Sequence, residues 1–178
     1  MIKGKNIILR PIKEVDLDTL FQLENSIRLR SEFLPFGIDS EYLFKKKFQQ
    51  TGFWEKDFGV LLIVDNNDKI IGCLWFQKII NFDALDLGYI IFKREDQGKG
   101  IMTESLKLFS SYLFALKKIN RLQVLIPDYN RASISVSQKC GFTFEGIKRE
   151  AYFSNGKYLD LCIYSMLRKE CSNIERLF

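Results

Sequence analysis

The chain has 178 residues, 47% of them apolar, with 27 Lys and Arg against 22 Asp and Glu for a formal net charge of +5. That length suits one domain with a substantial core, while the absence of histidine removes His-dependent triads and Cys/His zinc sites, and no metal is expected. No apolar run approaches the roughly 18 residues of a membrane span, and Met1-Ile2-Lys3-Gly4-Lys5 carries no signal-peptide apolar region, so a cytoplasmic protein without a membrane partner is expected.

Residues 6–10 alternate weakly and read as a strand, after which Pro11 suits a helix entry with Val15, Leu20 and Leu23 on one stripe. Gly37 to Ser40 breaks the chain, and Ser40 is placed to cap a helix carrying Tyr42, Leu43, Phe44 and Phe48. The Lys45-Lys46-Lys47 run in it reads as a solvated face. Residues 58–64 and 70–76 are rich in branched and aromatic side chains and join through a turn at Asp65-Asn66-Asn67-Asp68. A third strand near 84–92 leads into Gln97-Gly98-Lys99-Gly100-Ile101-Met102-Thr103, and a long helix follows with Met102, Leu106, Phe109 and Leu113 in one row. The next strand, 122–126, closes a right-handed parallel crossover and ends at Pro127. A short helix spans 131–139 with Gly141 beyond its end, and strands near 142–153 and 158–168 flank an Asn155-Gly156 turn. Alternating elements with a mixed sheet make this an α/β (or α+β) chain of one domain over 1–178, its core about 6–169 with a short tail. Cys73, Cys140 and Cys162 lie in apolar stretches and, with Cys171, show no paired spacing, so they read as core thiols.

The glycine loop is the feature that carries chemistry. A strand, two glycines and a helix start place free N–H groups and the helix dipole around one point, a cradle for phosphate. It is not a P-loop, because Gly100 rather than Ser or Thr follows Lys99, and it is not a dinucleotide fingerprint, because position 103 is Thr. What remains is Gln97-x-x-Gly100-x-Met102.

That loop resembles the acyl-CoA pyrophosphate loop of the GNAT acetyltransferases, with Met102 in place of the usual small residue, as in the RimJ/RimL-like branch. Ile7-Ile8-Leu9-Arg10-Pro11 with Asp16, Asp86-Leu87-Gly88-Tyr89, Asn130-Arg131-Ala132-Ser133 with Lys139-Cys140-Gly141-Phe142, and Glu145-Gly146, Arg149, Asn155-Gly156-Lys157 and Asp160 are similar to the family in order and spacing. The resemblance implies a GNAT fold, a mixed, mostly antiparallel central sheet flanked by helices. It also implies acetyl transfer from acetyl-CoA to an amine, with Gln97, Gly98, Lys99, Gly100, Ile101, Met102 and Thr103 on the pyrophosphate. The strand bearing Ile90 and Phe92 would pair with the two amides of the pantetheine arm, and an N–H near Ile91 or Phe92 would hold the oxyanion.

By the same resemblance Asn130 orients pantetheine, or simply caps its helix, and Ser133 donates a proton to the departing thiolate. Asp86 stands at the family's acidic position and is the first choice for accepting the amine proton, with a structural hydrogen-bonding role as its alternative. Some members of the branch carry Glu where this chain has Tyr152, whose phenol would hydrogen-bond substrate or thiol instead. Phe33, Leu34, Phe36, Tyr42, Trp54, Tyr152 and Phe153 fall in the family's acceptor-selecting segments. The acceptor is a primary amine: a protein N-terminus of the ribosomal type, or a polyamine, amino sugar or antibiotic. A non-catalytic acyl-CoA-binding regulator is the reading from another class. A homodimer follows from resemblance alone, and no base-reading motif supports a nucleic-acid partner.

Overall fold

The computed structural model describes residues 1–26 and 38–171. Among the described residues eight strands form one sheet: β1 (Ile2–Lys3), β2 (Ile8–Arg10), β3 (Phe58–Val64), β4 (Ile70–Lys78), β5 (Ala84–Ile91), β6 (Arg121–Pro127), β7 (Thr143–Ser154) and β8 (Lys157–Leu167), in the order β1-β2-β3-β4-β5-β6-β8-β7. Every neighbouring pair is antiparallel except β5 and β6, the two strands joined by the long helix α3 (Ile101–Leu116). Such a crossover must carry the chain over the sheet, so a parallel pair and a covering helix come together.

The middle of the sheet is buried on both faces, while β7 at its edge is largely exposed. On one, Leu106, Phe109, Leu113 and Phe114 of α3 pack against Leu85 and Leu87 of β5 and Leu122, Val124 and Ile126 of β6. Those four α3 side chains are wholly buried, each contributing about 1.5–3 kcal/mol by leaving water. On the other face, Leu17 and Leu20 of α1 (Leu17–Asn25) and Phe44 and Phe48 of α2 (Glu41–Thr51) cover Leu62, Val64 and Cys73. The fourth helix, α4 (Arg131–Lys139), follows β6. No described helix is long and apolar enough to cross a membrane.

The chain does not enter a helix at Pro11, and Val15 is 83% exposed. The cause is Asp16. Its carboxylate accepts the Arg10 guanidinium at 2.6 and 2.9 Å and the Lys13 N–H at 2.7 Å. This shapes a 3₁₀ turn at Glu14–Asp16 and delays α1 to Leu17. Arg10 also reaches Asp68 in the β3–β4 turn at 2.6 Å. Burial pushes the Asp16 carboxyl up, but the guanidinium and the Lys13 N–H outweigh it and hold it below the usual range. Because the folded value is depressed, the stabilisation is complete above the unfolded carboxylate value and is lost as pH falls through the folded one. Asp16→Ala leaves a buried cation with one partner fewer and is expected to cost about 3–5 kcal/mol in denaturant unfolding. A cost below about 1 kcal/mol would mean that the pair does not clamp β2 to α1.

Ser40 caps α2 by accepting from Leu43 N–H. In the lysine run, Lys45 bridges Asp18 and Glu41, while Lys46 and Lys47 lie over the rings of Tyr42 and Phe58. Phe33, Leu34 and Phe36 lie outside the described residues. Trp54 packs edge-on against Phe76 in the core, and Phe153 stands exposed against Tyr158 on the terminal hairpin.

Candidate active site

The site exists because two parallel strands part. β5 and β6 are in register from Ala84↔Arg121 to Leu87↔Val124 and no further. Beyond that, β5 stays with β4 as far as Ile91↔Gly72, and β6 stays with β8 as far as Pro127↔Leu161. Each strand follows its outer neighbour, and Pro127 has no N–H to offer back. A cavity of about 450 Å³ opens between them, floored by Gly88–Ile91 and Leu125–Pro127 and closed by the glycine loop and α4.

Backbone parity decides which residues face this gap. Phe92 N–H donates to Ile71 O at 3.0 Å, and Ala84 O accepts from Ile79 N–H at 3.0 Å, so even-numbered residues of β5 turn their peptide groups to β4. Alternation leaves Tyr89 and Ile91 turned to the gap. The strand-edge role placed on Ile90 and Phe92 therefore moves by one residue: Ile90 borders the cavity but turns its peptide groups to β4 and packs against the second core cluster, and Phe92 is a core residue, 3% exposed. Of the two N–H groups named for an oxyanion, that of Ile91 is the one turned to the gap.

The glycine loop has the form expected of a cradle. Gly98 and Gly100 take φ of +75° and +78°, left-handed values that favour glycine. A Cβ on either would have nothing within 4 Å, so their outer faces look into open space. Gly100 precedes α3 without capping it by a side chain, and Glu104 is the first residue whose N–H bonds within the helix. Ile101, Met102 and Thr103 thus keep orphan N–H groups beside the cavity they line. Lys99 turns instead to Asp96, 3.4 Å away, and Lys69 stands 3.8 Å from the same carboxylate, leaving two cations against one anion behind the loop. Free N–H groups, a helix N-terminus and net positive charge fit a pyrophosphate.

Asn130 and Ser133 come to the opposite wall. Asn130 accepts Ser133 N–H at 3.0 Å, so it does cap α4, and both residues line the cavity. Sequence reasoning missed the rest of that wall, although Ala132, Ser135, Val136 and Lys139 share one helical face at offsets of three, four and seven. It also left Tyr89 without a role. The Tyr89 hydroxyl reaches from β5 to Ser133 Oγ at 2.6 Å and Ser137 Oγ at 3.1 Å. Burial pushes its phenol up, and the two serines pull it partly back, so it holds its proton at neutral pH.

Asp86 and Tyr152 lie off the cavity wall. Asp86 points to the sheet face that bears α1 and α2, one residue before the strands part, and accepts Gln123 Nε2 at 2.5 Å. Beside it, the Trp75 indole lies across Gly88, where a Cβ would come within 2.0 Å of the ring. That contact explains the glycine of Asp-x-Gly-Tyr, and Trp75 with Leu125 lines the far side of the gap. Farther along the same face Arg121 holds Gln123 Oε1 and Glu145, and Glu145 also accepts the Ser165 hydroxyl. The guanidinium and that hydroxyl bring the Glu145 carboxyl down to about 2. Tyr152 sits near Tyr129 on the β7–β8 hairpin, its phenol pushed up by burial and by that neighbour. A bulge between Lys148 and Tyr152 interrupts simple alternation there: Glu150 takes φ +47° and donates its N–H to Asp160 at 2.7 Å. Glu145, Gly146, Asn155, Gly156 and Asp160 thus shape the hairpin.

Residues 6–143 match the family model of the acetyltransferase (GNAT) domain. The chain is 27% identical over 179 residues to the probable N-acetyltransferase YjcK of Bacillus subtilis (strain 168), covering 96% of this chain and 98% of that protein. It is 25% identical to the spermidine N(1)-acetyltransferase of Escherichia coli (strain K12), over 92% of this chain and 89% of that one. Among solved structures, the ribosomal L7/L12 alpha-N-protein acetyltransferase RimL in complex with coenzyme A is similar at TM-score 0.80 and 26% identity, over 92% and 95% of the two chains.

Proposed function

The chain belongs to the GNAT acetyltransferase family, and from that premise we propose that it carries an acetyl group from acetyl-CoA to a primary amine on a protein N-terminus. The observation that carries the donor half is the gap between β5 and β6 with a two-glycine cradle at its end. When bound there, acetyl-CoA supplies an activated acyl group on a thiol. The chain's own residues do the rest. The N–H groups of Ile101, Met102 and Thr103 hold the pyrophosphate, and Gln97, Gly98, Lys99 and Gly100 shape the loop. Tyr89 and Ile91 offer a strand edge to the amides of the arm, as a sheet edge receives an extended peptide. Asn130 orients the arm, Ile91 N–H receives charge on the carbonyl oxygen, and Ser133 returns a proton to the sulfur.

The acceptor enters from the face of Trp75, Leu125 and Asp86. An indole, an aliphatic side chain and one carboxylate suit an acceptor with one ammonium group and apolar neighbours, such as a peptide terminus. Asp86 takes the amine proton, held in place by Gln123, and Tyr152 borders the acceptor from the hairpin. The second reading is a polyamine acceptor, which the named activity of the E. coli relative favours. Thiol release measured with amino-terminal peptides, spermidine, an amino sugar and an aminoglycoside separates them: turnover confined to spermidine contradicts the peptide reading. Asp86→Asn is expected to lower kcat roughly 10- to 100-fold with acetyl-CoA affinity unchanged. Undiminished kcat would return Asp86 to a purely structural role.

A further inference from the structure

Three hydroxyl groups meet where β5 touches α4, and their protons can be counted. Tyr89 Oη lies 2.6 Å from Ser133 Oγ, 3.1 Å from Ser137 Oγ and 3.3 Å from Ser133 O. Ser137 is wholly buried, and Tyr89 is the side chain its hydroxyl meets. A buried donor left unmet is costly, so Ser137 donates to Tyr89 Oη. Tyr89 then donates to Ser133 Oγ across the shorter contact, as befits a phenol, the stronger acid of the two. Ser133 is left with its own hydrogen uncommitted within the cluster, on a side chain that lines the gap.

We infer that Tyr89 is a positioning residue for acetyl transfer, turning the Ser133 hydroxyl hydrogen toward the gap and replacing the proton that Ser133 gives up. The inference rests on the acetyl-transfer reading above. Ser133 Oγ passes its proton to sulfur as the thioester C–S bond breaks and that electron pair moves onto sulfur. Tyr89 Oη passes its proton to Oγ in the same motion, so one S–H bond forms, the Ser133 O–H bond is exchanged and the Tyr89 O–H bond breaks. The charge rests on the phenolate, held by the Ser137 hydroxyl, until water in the emptied gap returns a proton. Asp86 takes the first proton from the ammonium and passes it to water. Nitrogen loses its second proton to water at the acceptor face as the C–N bond forms, which matches the proton that water returns to Tyr89, and the count closes. Serine alone is a poor acid for this task. A phenol behind it brings the acidity closer to that of a thiol.

The test keeps the ring and removes the oxygen. Tyr89→Phe should leave acetyl-CoA affinity by calorimetry and KM for acetyl-CoA within about twofold and lower kcat roughly 10- to 100-fold. Adding it to Ser133→Ala should deepen the loss little, because the two act as one chain. Ser137→Ala, which removes only the far donor, should lower kcat several-fold less than Tyr89→Phe. In the unliganded protein, proton NMR should show a slowly exchanging hydroxyl resonance that vanishes in Tyr89→Phe and shifts in Ser133→Ala. Full kcat in Tyr89→Phe with kcat lost in Ser133→Ala overturns the inference and leaves the acetyltransferase reading standing. Affinity falling in step with kcat in Tyr89→Phe makes the role structural and also overturns it. An unsubstituted protein that binds acetyl-CoA but releases no thiol with peptides or spermidine brings down the reading, and the inference with it.

Discussion

Gly100→Val is expected to weaken acetyl-CoA binding at least about 100-fold, close to 3 kcal/mol, in a chain that still folds. Gly100 holds φ +78° and stands immediately before α3. A β-branched residue in the left-handed region costs on the order of 1–3 kcal/mol, and the loop relieves that strain by changing its path. The N–H groups of Ile101, Met102 and Thr103 then lose their common aim. Hydrogen bonds to a charged group contribute about 1.5–3 kcal/mol each, so losing two of them already exceeds the expected effect. Among the described residues, and apart from its own chain neighbours, nothing lies within 4 Å of the added Cβ, so the core is untouched. Gly52 supplies the control. It takes φ +60° at the end of α2 with equally open surroundings, so Gly52→Val imposes a like strain away from the gap and should leave affinity unchanged. Calorimetry on the two variants, with circular dichroism melts beside it, reads the difference. Equal losses in both would mean that the effect is general strain rather than a lost cradle.

Ser133→Ala should lower kcat by about 100-fold or more, with acetyl-CoA affinity retained. The hydroxyl lies on the gap wall, but the cap of α4 does not depend on it, since Asn130 Oδ1 bonds the Ser133 N–H rather than its side chain. Removing Oγ therefore spares the helix start and the arm's surroundings and takes away only the proton path. A fall in kcat and kcat/KM together marks an interaction made in the transition state. Raised KM with kcat intact would instead make Ser133 a binding residue. Asn130→Ala is the complementary change: it removes both the cap and the group proposed to orient the arm, so affinity and stability should fall together, the cap accounting for about 1 kcal/mol of the latter.

The features legible in the sequence were those encoded locally. Helix α4 begins after Asn130 and ends before Gly141 at φ +91° because a cap and a left-handed glycine are nearest-neighbour signals. Asn155 and Gly156 both take positive φ, as their turn requires. The glycine loop, the crossover from β5 to β6 and the buried row of Met102, Leu106, Phe109 and Leu113 follow the same logic. What escaped depended on register or on distant partners. Parity along β5 is set by its hydrogen bonds to β4, so Ile90 and Phe92 could be placed on the strand but not on its correct edge. Tyr89 meets Ser133 across 44 residues, and Asp86 meets Gln123 across 37. Neither spacing has a local signature. Val15 sits on an apparent helical stripe yet lies in solvent, because a buried ion pair holds the chain in a tighter turn before α1.

The most direct test of the account is a calorimetric titration of acetyl-CoA into the full chain, repeated with Gly100→Val and Gly52→Val. The predicted result is saturable binding of one molecule per chain, displaced by CoA, weakened at least about 100-fold in the Gly100 variant and retained in the Gly52 variant. A folded, unsubstituted protein that gives no binding heat across several temperatures would contradict it, and the gap between β5 and β6 would then be a fold feature without its ligand.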